Sequence, residues 1–185
     1  MEILNIIKSR RSIMPSQYNN LLIDDQHIKL ILEAANWAPT HKKTEPWRFK
    51  ILKGITKNKL GDFLAAKYRE SAYVFSEFKH KKIMEKAKKS SAIILICMQR
   101  DPKESVPEWE EIAAVSMSVQ NMWLMATDLK IGSYWSSPKF INVIDEFIPL
   151  NQGERCLGIF YMGQHDGKIN HRIPGPIEDK ILWFE

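Results

Sequence analysis

The sequence predicts an α+β fold, with helices layered around one sheet. Three observations lead there. Two stretches, SAIILICM (91–98) and CLGIFYMG (156–163), are continuous apolar runs of strand length. A strand covered on both faces reads this way. Several other segments carry apolar residues at helical spacing, the longest over about 107–130. Finally, helices and strands mix without a strict β-α-β alternation, which argues for an α+β layering rather than a doubly wound parallel sheet.

Taken in order, residues 2–9 form a short helix with Ile3, Ile6 and Ile7 on one face, and SQYNN (16–20) is a loop. Asp24 or Asp25 caps a second helix by accepting from its first backbone N–H groups. Ile28, Ile31, Leu32 and Ala35 line that helix, and Pro39 stops it. In PWRFKILK, Trp47, Phe49 and Ile51 alternate as in a strand, closed by Gly54. A helix over 56–69 and a lysine-rich helix precede the first buried strand. Pro107 opens the long helix and Gly132 is placed to end it. Ala113, Ala114, Met117, Gln120, Asn121, Leu124 and Met125 are taken as its inward side. A short strand bears Tyr134 and Trp135, a helix covers 139–147, and the second buried strand leads to an irregular tail with Pro174, Gly175 and Pro176.

The chain of 185 residues is long enough for one domain with a sizeable core, and 44% hydrophobic with 26% charged residues is ordinary for a globular protein. The net charge of +5 favours anionic ligands in general. Much of the excess is local, at Lys79, Lys81, Lys82, Lys86, Lys88 and Lys89. A solvated helix face explains this run better than a nucleic-acid patch, because no aromatic residues interleave the lysines. Cys97 and Cys156 both sit in apolar runs, outside any CxxC pattern. They point to packing in a reducing compartment rather than to metal or dithiol chemistry. No segment is long and apolar enough to span a membrane, and the N-terminal stretch lacks a signal-peptide layout. The expected location is the cytoplasm.

Catalytic templates built on GxSxG, a Walker-type phosphate loop, HExxH or GxGxxG are absent. The five histidines have no acidic or cysteine partner at metal-ligand spacing, so no metal site is expected. Three clusters remain. Lys8, Ser9, Arg10, Arg11 and Ser12 offer two guanidinium forks and hydroxyls suited to a phosphate. The alternative is a helix C-terminus whose arginines answer the helix dipole. Residues 34–49 place His41, Lys42 and Lys43 in a turn between a helix and a strand; this turn could border a flat ligand or simply connect two elements. In KIGSYWSSP (130–138), small residues and hydroxyls flank Tyr134 and Trp135, fitting either a heterocycle edge or a tight turn around a core aromatic.

Together and in this order the clusters resemble the FMN-dependent nitroreductases. The resemblance rests on the RRS segment, on Ala38, Pro39, His41, Pro46 and Trp47, on the long helix followed by YWSSP, and on GIFYMG with its Arg-Ile-Pro tail. It runs over nearly the whole chain and is nearest to the small bacterial NAD(P)H nitroreductase branch. The resemblance implies a nitroreductase-like layered fold over residues 1–185: a central mixed sheet flanked by helices, in an intertwined homodimer with FMN at the subunit interface. By residue, it implies that Arg10, Arg11 and Ser12 hold the FMN phosphate, ribityl chain and pyrimidine edge. Trp37 and His41 would reach the flavin from the partner subunit, and Trp135, Ser136 and Ser137 would lie beside its ring. Arg172, and more loosely Lys168, would sit at a basic tail position that binds the phosphate. It implies transfer of electrons from NAD(P)H to small electrophiles such as nitroaromatics or quinones by ping-pong turnover, with no catalytic residue assigned. A flavin-binding storage or sensing protein with little turnover is the competing reading.

Overall fold

The computed structural model describes residues 2–167 and 172–185, so Lys168 lies outside the described residues. The elements run α1 (Ile3–Ser9), α2 (Asp25–Asn36), β1 (Trp47–Leu52), α3 (Gly54–Ser71), α4 (Glu77–Lys89), β2 (Ala92–Gln99), α5 (Glu108–Asp128), β3 (Ile131–Ser136) and β4 (Glu154–Gln164). The strands form one sheet in the order β1-β2-β4-β3. Every pairing in it is antiparallel, where a mixed sheet was expected. The correction is physical: each connection between neighbouring strands returns the chain in the opposite direction, so no parallel crossover arises.

Two apolar clusters share this sheet. On one face Ile94, Ile96, Met98, Phe160 and Met162 pack with Ile28, Ile31 and Ala35 of α2 and with Val115, Val119 and Met122 of α5. On the other, Ile93, Leu95, Cys97, Ile159 and Tyr161 pack with Leu60 and Leu64 of α3, Ala87 of α4, and Ile141 and Ile144. Alternate residues of β2 therefore serve opposite layers, which is why SAIILICM contains no polar position between Ala92 and Met98. Cys97 and Cys156 face each other across β2 and β4, buried and without a disulfide.

Local expectations meet the structure unevenly. Asp24 is the cap of α2, accepting from Gln26 N at 2.8 Å. That helix ends at Asn36, before Pro39. The 16–20 loop is more ordered than its composition suggests: Pro15–Gln17 make a 3-10 turn that drops the buried Tyr18 into the sheet's end. There its hydroxyl lies within hydrogen-bond distance of Ile13 O (2.9 Å) and Tyr161 O (3.0 Å), which share its one proton. Residues Lys139–Glu146 form broken 3-10 turns rather than an α-helix. Helix α5 stops at Asp128, and the left-handed residue that turns the chain is Lys130 (φ 58°), not Gly132. Gly132 instead lies inside β3, where an added Cβ would come within 2.9–3.0 Å of Ile13, His165 and Tyr18. The inward side of α5 is also rotated from the expected one. Glu111, Ala114, Val115, Ser118, Val119, Met122 and Ala126 are buried, whereas Met117 and Gln120 are exposed.

Candidate functional site

The segment after α1 runs beside β3, an edge strand, and is tied to it by Ile13 N donating to Ser133 O at 3.0 Å. This places Arg10 against the C-terminal half of α5, its guanidinium 4.7 Å from the centre of the Trp123 ring. Such stacking holds a guanidinium flat while leaving its edge N–H groups available to an anion. Trp123 Nε1 donates to Arg11 O at 3.2 Å, so one indole fixes both arginines. Arg11 Nη1 reaches Lys8 O (2.8 Å) and Arg10 O (2.7 Å). Ser12 is exposed on the same stretch. The Arg10 guanidinium is held below its ordinary pKa, first by burial and then by the positive charges of Arg172 and Arg11. Positive charge from the two ends of the chain thus acts on Arg10, at an electrostatic cost that an anion would relieve.

Trp135 belongs to the same neighbourhood. It lies opposite Phe160 in the β3–β4 register, and Phe160 meets the Trp123 ring edge-on at 5.7 Å. Its indole lies against Gly158, where an added Cβ would come within 2.0 Å of Trp135 Nε1, so only glycine allows this strand contact. Trp135 Nε1 is buried with no hydrogen-bond acceptor, as is Ser133 Oγ two residues earlier. Ser136 is half-buried and Ser137 exposed at the end of β3.

Trp37 and His41 are elsewhere. Trp37 closes α2 and is 81% exposed. His41 opens a turn whose residues Lys42, Lys43 and Glu45 all adopt left-handed φ (51°, 56° and 42°). Non-glycine residues in that region cost on the order of 1–3 kcal/mol each and persist only where contacts enforce them. The contacts here are Lys42 Nζ donating to Ser105 O at 2.7 Å and His41 Nδ1 meeting Glu110 Oε2 at 2.6 Å. Glu110 stands in the first turn of α5 and Trp123 thirteen residues further on. At 1.5 Å per residue the two groups are separated by about 20 Å along the helix. A single chain therefore brings Arg10, Arg11, Ser12 and Trp135 around Trp123, with Arg172 within electrostatic reach, and leaves His41 at the far end of α5.

Two participants were not singled out from the sequence. Trp123 sat unremarked in an apolar helix, and Glu110 is separated from His41 by 69 residues. The first turn of α5 carries three carboxylates, and each has its own nitrogen partner. Glu108 pairs with Arg155 (2.9 Å), Glu110 with His41, and the buried Glu111 with Arg100 while accepting from Asp101 N at 2.9 Å.

This layered antiparallel fold, with a cationic cluster beside an aromatic sheet edge, is that of a family of oxidoreductases. Residues 7–164 match the model of the nitroreductase family, and the chain belongs to that family. It is 30% identical over 180 residues to the Bacillus subtilis protein named "Putative NAD(P)H nitroreductase YfhC", covering 96% of this chain and 91% of that one. Among solved structures it is similar to a nitroreductase-like family protein from Bacillus cereus, at 28% identity and a TM-score of 0.85, covering 100% and 97% of the two chains. It is also similar to a Desulfovibrio desulfuricans nitroreductase homologue solved in complex with FMN, at 25% identity and a TM-score of 0.75 over 100% and 98%.

Proposed function

We propose that the protein is an FMN-dependent oxidoreductase that works as a homodimer and passes electrons from NAD(P)H to small electrophiles such as nitroaromatics or quinones. The observation that carries this reading is the pair Arg10 and Arg11 held by one indole, Arg10 stacked 4.7 Å over Trp123 and Arg11 O accepting from its Nε1, with Arg172 adding positive charge. A phosphate monoester matches such a set in charge and in its demand for forked donors. The orphaned indole N–H of Trp135 and hydroxyl of Ser133 fit a polar heterocycle edge nearby. In this reading Arg10, Arg11 and Ser12 hold the phosphate, ribityl chain and pyrimidine edge between them, Arg172 adds to the phosphate, and Trp135, Ser136 and Ser137 border the ring. Bound FMN supplies the redox chemistry, and the protein supplies binding and electrostatics. Arg10 or Arg11 near the pyrimidine would favour negative charge there.

A second copy enters this reading because His41, held by Glu110, stands about 20 Å from Trp123 along α5. Its docking surfaces are apolar. Helix α1 has no buried residue and exposes Ile3, Leu4 and Ile7, while the tail exposes Ile177, Leu182, Trp183 and Phe184. Residues of this kind belong in an interface resembling a core cut in half. We take residues 1–185 as one FMN-binding domain, since both apolar clusters share one sheet. We place the protein in the cytoplasm, on its two buried thiols; among the described residues no helix is long and apolar enough to cross a membrane.

A visible spectrum of the purified protein, before and after anaerobic NADPH and then NADH, tests the reading. Flavin bands that bleach within seconds are expected, and the faster donor identifies the preferred nicotinamide. Bands that persist with both donors would leave a flavin-binding protein without this turnover. A colourless protein that takes up no added FMN would overturn the assignment.

A further inference from the structure

We propose that Glu110 is a positioning residue for His41: it fixes which ring nitrogen carries the proton and which way the imidazole faces, so that Nε2 is the atom offered to the flavin of the opposite subunit. The inference rests on the reading above, in which His41 serves a flavin held by the partner copy.

The two side chains differ in a telling way. Glu110 is largely covered, with 22% of its side chain exposed, whereas His41 keeps 57% of its side chain exposed in the single chain. The contact between them is 2.6 Å at Nδ1, short even for a charge-assisted hydrogen bond. A carboxylate only accepts, so Nδ1 donates and Nε2 remains for a ligand. The backbone beneath the imidazole is held independently. Lys42 is anchored to Ser105 O, Thr40 and Thr44 hydroxyls meet at 3.0 Å, and Glu45 N donates to Thr40 Oγ1 at 3.3 Å. The turn is therefore fixed without Glu110, and what the carboxylate adds is control of the ring.

The neighbouring carboxylates sharpen the assignment. Glu108 and Glu111 hold arginines outside the predicted site, on β4 and on the loop that follows β2. Glu110 alone among the three holds a candidate site residue, and it does so across 69 residues of sequence. Outer carboxylates that orient metal-ligating histidines are worth about 10–100-fold in the affinity or activity of the site, and the same control of tautomer and ring direction operates on His41.

The test uses the full-length protein with Glu110→Ala, Glu110→Gln and His41→Ala. Nitrogen-15 chemical shifts of the His41 ring report its tautomer without any flavin. The proposal expects Nδ1–H in the parent, retention in Glu110→Gln, whose amide oxygen still accepts, and a shift toward Nε2–H in Glu110→Ala. It expects FMN affinity to fall about tenfold in Glu110→Ala, to recover in Glu110→Gln, and to fall in His41→Ala.

An unchanged tautomer in Glu110→Ala would overturn the proposal. So would a changed tautomer with undiminished FMN affinity while His41→Ala weakens binding, and that outcome would leave the flavin reading intact. If neither His41→Ala nor Glu110→Ala altered FMN binding or the flavin spectrum, His41 would not face the flavin and both statements would fall together.

Discussion

The two ends of α5 are built on opposite electrostatic plans. At its N-terminal turn each of three carboxylates has a nitrogen partner of its own: Glu108 with Arg155, Glu110 with His41, Glu111 with Arg100. Around Trp123, thirteen residues on, positive charges are gathered together, and burial plus Arg172 and Arg11 act against the charge of Arg10. The first end has its carboxylates matched within the chain and leaves one imidazole nitrogen, Nε2 of His41, over for a ligand. The second carries a cost that an anion would relieve.

Removing a charge should therefore have opposite consequences at the two ends. The largest effect on stability is expected from Glu111→Ala. The Glu111 side chain is fully covered, and its loss leaves the N–H of Asp101 without its acceptor while Arg100 keeps Val106 O and Glu104. Losing the acceptor of such an N–H costs about 1–3 kcal/mol. Chemical denaturation should show that loss, and a midpoint within experimental scatter of the parent would mean that the loop after β2 is held by its apolar contacts instead.

At the other end, Arg10→Met should leave the thermal midpoint of the flavin-free protein unchanged or raised, because it removes a desolvated charge from beside two others. Its cost should appear in ligand binding. A charge-assisted hydrogen bond contributes about 1.5–3 kcal/mol, so FMN affinity should fall at least about tenfold. Fluorescence titration against FMN measures this directly. A destabilised protein with parental FMN affinity would make Arg10 a structural residue stacked on Trp123 and nothing more.

The same contrast explains what could be read from the residues alone. The cationic cluster announces itself locally, because Arg10, Arg11 and Ser12 are adjacent and Arg172 lies beside an Ile-Pro pair in the tail. The buried strand 91–98 is equally legible, since coverage on both faces leaves no polar position. The matched end is not legible. His41 and Glu110 carry no mutual signal over 69 positions, and Glu111 would ordinarily be assigned to the outer face. It is inside because Arg100 and a backbone N–H satisfy it there, a fact of tertiary structure. Helix α5 is apolar on several sides, so its periodicity does not choose a face, and the expected inward set of Ala113, Met117 and Gln120 is displaced from the buried one. Strand direction was obscure for a related reason: composition records which faces are covered, not which way the chain returns.

The smallest expected effect refines the comparison at the matched end. Asp101 sits where the loop after β2 turns toward α5, and its carboxylate is held below the ordinary range. The largest cause is the Ser105 hydroxyl, followed by the backbone N–H groups of Ser105 (3.0 Å) and Lys103 (3.2 Å). A carboxylate with a lowered folded-state pKa contributes stability above its unfolded value and loses it as pH falls through the folded one. The contribution is thus constant around neutrality and disappears only in acid, below the usual carboxylate range. Because Ser105 O also accepts from Lys42, acid should loosen the same turn that carries His41. Amide exchange at Lys103 and Ser105, corrected for its intrinsic pH dependence, should accelerate on acidification in the parent and show little further change in Asp101→Asn. Equal acid sensitivity in the two proteins would show that the Asp101 carboxylate is not the acid-labile element of this end of the helix.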